Sequence, residues 1–81
     1  MYKHMKHIPE CVRSLVSGDF FDACLYDEPE KMTVAAAREY WDEFISNLKE
    51  VGRFVPRSLS PEIYVQLWNE ELDLYDARRA Q

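Results

Sequence analysis

The chain has 81 residues, of which 47% are hydrophobic and 31% are charged. This length supplies one compact core and not two, and the composition is that of a folded domain, so it excludes a chain that is disordered throughout. Fifteen acidic and ten basic residues give a formal net charge of -5, which disfavours non-specific nucleic-acid binding because that binding depends on Lys and Arg displacing counterions.

The N-terminal third predicts two short helices after a flexible lead-in. Residues 1–8 contain no continuous apolar stretch of the kind a signal peptide needs. Pro9 is suited to begin a helix over about 9–17, which we expect to end at Gly18. A second short helix is then expected over about 19–26.

The clearest helix is predicted over about 34–51. Its apolar residues recur in steps of three and four, which places them on one stripe of an α-helix. Thr33 is suited to cap its first turn, and Gly52 follows the last periodic residue, where a left-handed residue commonly ends a helix. The stripe consists of Val34, Ala37, Trp41, Phe44, Leu48 and Val51.

A further helix is predicted over about 61–77. Ser60 precedes Pro61, and proline at the first helical position loses no hydrogen bond. The apolar face of this helix is wide and holds Ile63, Tyr64, Leu67, Trp68, Leu72 and Tyr75. With loops at 27–32 and 52–59, we predict a single all-α domain over residues 1–81, a small three- to four-helix bundle.

Catalysis is disfavoured by the lack of any recognisable catalytic or phosphate-binding motif. The chain has only two glycines, so it has no glycine-rich phosphate loop and no nucleophile elbow. Adjacent helical acids such as Asp42 and Glu43 point about 100° apart and do not converge on a substrate. We therefore expect a protein that is not an enzyme and that uses no cofactor.

A metal site is suggested by one spacing and rejected on its context. His4, His7 and Cys11 are spaced i, i+3 and i+7, which would align them on a continuous helix. Pro9 interrupts that span, and the sequence offers no fourth ligand. We expect no metal, and two cysteines without a disulfide framework favour reduced thiols in the cytoplasm.

The large aromatic content, 14% of residues, permits two interpretations of the apolar stripes. They form the core of a monomer, or part of them is the interface of a homodimer. The residues concerned are Trp41, Phe44, Leu48, Tyr64, Trp68 and Leu72.

Charge segregation suggests what the protein does. Residues 19–30 and 62–76 each contain five acids and no base. Between these two acidic segments lies the loop 52–59, which carries Arg53 and Arg57 and which we call the connector. We expect a non-enzymatic protein of the phage or mobile-element type, a small acidic helical inhibitor or adaptor that binds and modulates a larger protein partner. The residues expected to contact the partner are Asp42, Glu43, Arg53, Arg57, Glu70, Glu71 and Asp73.

Two alternatives remain open from the sequence. One is a DNA-associated transcriptional regulator, although the segment 19–26 has no Arg, Lys, Asn or Gln with which to read DNA. The other is a nucleic-acid mimic whose acids occupy a partner's DNA- or RNA-binding channel. A membrane role is not expected, because no apolar run approaches the roughly 20 residues that cross a bilayer.

Overall fold

The computed structural model describes residues 8–80, which form three α-helices and no strand. The helices are α1 (Glu10–Tyr26), α2 (Val34–Glu50) and α3 (Pro61–Arg79). The all-α prediction is therefore confirmed for this part of the chain, and its three helices lie within the predicted three to four. The expected flexible lead-in lies almost wholly outside the described residues.

Helix α3 is the central element, and α1 and α2 each pack mainly against it. Every residue from Ser60 to Leu72 is buried or half-buried. This explains why the apolar residues of α3 spread over a wide face, since a helix covered by two neighbours needs more than one apolar stripe.

The most deeply buried large side chains lie where α1 meets α3. Phe20 and Leu67 are each only 1% exposed, and Val12 and Val16 are fully buried. The Phe20 ring meets Trp68 edge-to-face with 5.4 Å between ring centroids. Large aromatic rings therefore supply much of the apolar area that this small chain removes from water.

The predicted break at Gly18 is wrong, because α1 runs through it without interruption. The two short helices over about 9–17 and 19–26 are one helix. A glycine inside a helix costs about 1 kcal/mol relative to alanine, but Val12 and Phe20 lie on the same buried face on either side of it. Burial of that face outweighs the local preference of one residue.

The ends of α2 and the start of α3 follow the predicted capping residues. The Thr33 hydroxyl accepts a hydrogen bond from the Ala36 amide at 3.2 Å, and the Ser60 hydroxyl accepts one from Ile63 at 3.3 Å. Gly52 has φ +78° and its amide donates to the Lys49 carbonyl at 3.0 Å. This left-handed glycine ends α2 and turns the chain into the connector.

The loop between α1 and α2 is fastened to α3 by side-chain hydrogen bonds that the sequence did not reveal. The Asn69 amide accepts from the Met32 backbone N–H at 2.9 Å and donates to the Met32 carbonyl at 3.2 Å. The Trp68 indole donates to the Glu30 carbonyl at 3.0 Å. These bonds fix the point at which α2 begins.

Replacing Asn69 with Leu is expected to lower the free energy of unfolding by about 1–3 kcal/mol, because both backbone groups of Met32 lose their partner. Urea denaturation followed by circular dichroism measures this change. Asn47→Leu is the matched control, since Asn47 is exposed on α2, and its effect should stay within about 0.5 kcal/mol. Equal losses in the two variants would contradict the role given to Asn69.

Candidate partner-binding surface

The outward face of α2 carries a line of carboxylates. Glu39, Glu43 and Glu50 are spaced by four and seven residues, which places them within a narrow strip of the helix surface, and Asp42 lies beside that strip. All four are exposed. We call these four residues, Glu39, Asp42, Glu43 and Glu50, the acidic ridge.

No carboxylate of the acidic ridge forms an ion pair within residues 8–80. The nearby Arg38 instead pairs with Glu62 of α3. Like charges four residues apart, as in Glu39 and Glu43, destabilise a helix by a few tenths of a kcal/mol. Glu50 adds a negative charge at the C-terminal end of α2, which the helix dipole disfavours. The ridge therefore carries a local cost to helix stability that no ion pair within residues 8–80 offsets.

The predicted partner-binding acids of α3 are placed differently. Glu70 and Glu71 are half-buried, and Glu70 accepts a hydrogen bond from the Arg13 guanidinium at 3.0 Å. Asp73 is exposed, and its carboxylate lies 3.8 Å from the Lys31 ammonium. Glu70 and Asp73 therefore each interact with another segment of the same chain.

The two arginines of the connector are exposed, and two apolar residues hold the connector in place. Arg53 and Arg57 are both exposed, whereas Pro56 and Leu59 are buried. The Leu59 amide donates to the Pro56 carbonyl at 3.1 Å. The connector is thus anchored at its C-terminal half and presents its guanidiniums outward.

The aromatic stripes belong to the core of the single chain. Of the six residues predicted as core or dimer interface, four are buried and the remaining two, Trp41 and Phe44, are half-buried against the same core. The Phe44 ring lies 4.9 Å from that of Tyr64, centroid to centroid. The four buried residues are Leu48, Tyr64, Trp68 and Leu72.

One carboxylate is held between the helices instead of facing solvent. The Tyr64 hydroxyl donates to the Asp19 carboxylate at 3.0 Å. Burial raises the pKa of Asp19, and the Tyr64 hydrogen bond and the Arg53 charge offset this only in part. Burial and the neighbouring Asp19 also raise the pKa of Tyr64. The pair joins α1 to α3 as a structural contact.

The raised pKa of Asp19 predicts a pH-dependent loss of stability. As pH rises from its ordinary value of 3.8, the unfolded chain releases this proton before the folded chain does, so the free energy of unfolding falls through that window. Asp19→Asn keeps an oxygen for Tyr64 and removes the proton. We expect this variant to gain stability relative to wild type as pH rises to about 7.

Urea denaturation at several pH values between about 3.5 and 7 compares the two curves across this window. Asp27→Asn, which alters an exposed acid directly after the same helix, is the control and should run parallel to wild type. If the free energies of unfolding of wild type and Asp19→Asn change with pH in parallel, the pKa of Asp19 is not raised and the prediction is wrong.

Residues 8–80 bear on the metal and membrane predictions made from the sequence. No group of three or more His, Cys, Asp or Glu side chains suited to a metal ion occurs in this range. His4 and His7 of the rejected trio lie outside it, and Cys11 is exposed. No described helix is both long and apolar enough to cross a bilayer.

The sequence prediction of the partner surface included half of the acidic ridge. Asp42 and Glu43 are among the predicted contact residues, whereas Glu39 and Glu50 are not. Their spacing of four and seven from Glu43 was the available signal. Comparison with protein-family models, curated proteins and solved structures gives no match to this chain.

Proposed function

We propose that this protein is a non-enzymatic cytoplasmic binding protein, a small three-helix bundle that presents the acidic ridge of α2 to a basic surface of a larger protein partner. Binding at that surface modulates the partner, as an inhibitor or adaptor of the phage or mobile-element type does. The observation that supports this is the unpaired ridge itself, four exposed carboxylates with no ion pair inside the described chain.

The energetic cost of the ridge favours a binding role. Places where a sequence departs from the locally stable choice are expected at functional sites. Helix α2 departs from it twice on this face, with like charges at Glu39 and Glu43 and an unfavourable acid at Glu50. A basic partner would remove both penalties and would be attracted from a distance at low salt.

The proposal narrows the contact residues that the sequence suggested. Asp42 and Glu43 remain, joined by Glu39 and Glu50. Glu70 and Asp73 are assigned to the fold, because each already interacts with a cation of another segment.

Nucleic-acid mimicry is the second candidate, and the linear arrangement of the ridge favours it. The intervals of four and seven residues place charges about 6 and 10 Å apart along the helix axis. A line of negative charges along one helix face resembles a phosphate backbone in the sign of its field. If mimicry is correct, a short DNA or RNA duplex will compete with the chain for the partner.

Glu50→Gln is expected to raise the free energy of unfolding by about 0.3–1 kcal/mol, because it removes a negative charge from the C-terminal end of α2. Glu10→Gln is the matched control and is expected to lower the free energy of unfolding. Glu10 lies in the first turn of α1, where the helix dipole favours an acid. Urea denaturation at low ionic strength measures both. A loss of stability in Glu50→Gln would show that this carboxylate serves the fold.

The function is tested by affinity capture from the native cell with three baits. The first is wild type, and the second is the ridge-neutral variant with Glu39→Gln, Asp42→Asn, Glu43→Gln and Glu50→Gln. The third neutralises four other exposed acids and serves as a charge-matched control: Glu10→Gln, Asp27→Asn, Glu30→Gln and Asp76→Asn.

We expect one protein that is retained by wild type and by the control, is lost from the ridge-neutral bait, and elutes with salt. Equal retention on all three baits would overturn the role of the ridge. A sequence-dependent shift of DNA by the pure chain would instead favour the DNA-associated regulator.

A further inference from the structure

The outward face of α1 carries an apolar surface that the core does not use. Five of its residues step along the helix by three and four positions, so they lie on one line. None of the five is charged. Phe21 is 52% exposed and Leu25 is 77% exposed. We call these residues, Cys11, Ser14, Gly18, Phe21 and Leu25, the α1 seam.

The order of side-chain sizes along the α1 seam is complementary to itself. Cys11 and Ser14 are small and precede Gly18, whereas Phe21 and Leu25 are bulky and follow it. In an antiparallel pair of seams with a two-fold axis at Gly18, each bulky half would lie over the small half of the other copy. Gly18 leaves room for this approach, since a Cβ added there would meet no atom within 4 Å.

A hollow borders the small half of the seam. It has a volume of about 360 Å³ and is lined by Cys11, Ser14, Leu15, Arg53 and Phe54. Phe54 is 77% exposed, so one wall is an aromatic ring that residues 8–80 leave largely uncovered. In the antiparallel arrangement, the bulky half of a second copy's seam would reach this hollow.

Charge complementarity favours the same arrangement. Arg53 lines the hollow and forms no ion pair with any of residues 8–80. Asp22 is exposed beside Phe21. It lies two turns after Leu15, which lines the hollow, so Asp22 and the hollow are on the same flank of α1. A two-fold axis sets each flank beside the same flank of the second copy, so the acid of one chain would approach Arg53 of the other.

We propose that the α1 seam joins two copies of this chain in an antiparallel dimer centred on Gly18, with Phe21 and Asp22 of each copy docked at the hollow beside Arg53 of the other. The aromatic stripes that the sequence offers for a dimer belong to the core, and this interface uses different residues. The seam and the acidic ridge share no residue, so the dimer stands independently of the function proposed above.

The test is the mass in solution, measured by light scattering or sedimentation from about 10 to 500 μM. We expect it to approach twice 9.6 kDa as concentration rises. Gly18→Glu should preserve the folded monomer, because glutamate favours helix more than glycine does and the site is open. It should weaken dimerisation at least about tenfold, because two carboxylates meet at the axis. Ala35→Glu is the control, since Ala35 is an exposed residue of α2, and it should leave dimerisation unchanged.

Cross-linking tests the direction of the pair. In a Cys24→Ser background, Leu25→Cys should form a disulfide with the second copy's Cys11 under oxidised glutathione. Two Cys11 residues would stand about 21 Å apart in an antiparallel pair, too far for a disulfide. A mass of 9.6 kDa over the whole range, a dimer unaffected by Gly18→Glu, or equal cross-linking without Leu25→Cys would each overturn the proposal.

Discussion

Phe20→Ala is expected to lower the free energy of unfolding by about 3–5 kcal/mol. The Phe20 ring is 1% exposed and lies edge-to-face with Trp68 and Tyr75, at 5.4 and 5.6 Å between centroids. Its removal leaves a cavity between α1 and α3, and neighbouring rings relax into such a space only partly. A loss of this size is a large share of the stability of a domain of this length.

The adjacent Phe21→Ala is the matched control for this prediction. Phe21 is 52% exposed on the outward side of α1, so dilute protein should lose about 1 kcal/mol or less. Urea denaturation followed by tryptophan fluorescence measures both variants, and Trp68 reports directly on the Phe20 contact. Similar losses in the two variants would show that the core is not centred on Phe20.

The local signals in the sequence predicted the ends of helices well. Thr33 and Ser60 cap their helices with the hydrogen bonds that their positions suggested, and Gly52 has the positive φ expected after α2. Such signals depend on residues within one turn of each other, so a single sequence contains them. The break predicted at Gly18 is wrong because a local signal does not include packing. Burial against a helix distant in sequence outweighs the helix-breaking preference of this glycine.

The long-range contacts were not predictable in this way. Asn69 holds Met32 from 37 positions along the chain, and Glu70 binds Arg13 from 57 positions away. These contacts depend on α3 lying between the other two helices, which periodicity along one helix does not reveal. For the same reason, the sequence predicts Glu43 and Glu70 alike as partner contacts, although Glu43 is exposed and Glu70 is half-buried.

Neutralising the acidic ridge is expected to weaken binding to the purified partner by about 1–4 kcal/mol. Each exposed charge pair contributes about 0.2–1 kcal/mol, and the ridge has four carboxylates. The corresponding loss of affinity is about fivefold to a thousandfold. Most of the salt dependence of binding should disappear with the charges, because screening acts on the attraction that they supply.

The ridge-neutral variant should fold at least as well as wild type. Its loss of affinity for the partner therefore cannot be ascribed to unfolding. Its substitutions remove like-charge repulsion from α2 and break no ion pair described for the chain. The charge-matched control changes net charge equally, so it accounts for the general attraction between an acidic protein and a basic one. It should keep most of the wild-type affinity.

The central claim is that the acidic ridge of α2 is the surface that meets the partner. Calorimetric titration of the captured partner with wild type, the ridge-neutral variant and the control, at about 50 and 300 mM salt, tests it most directly. We predict that wild type and control bind with affinities that fall as salt rises, and that the ridge-neutral variant binds weakly at both. Equal affinity and equal salt dependence for all three proteins would contradict it.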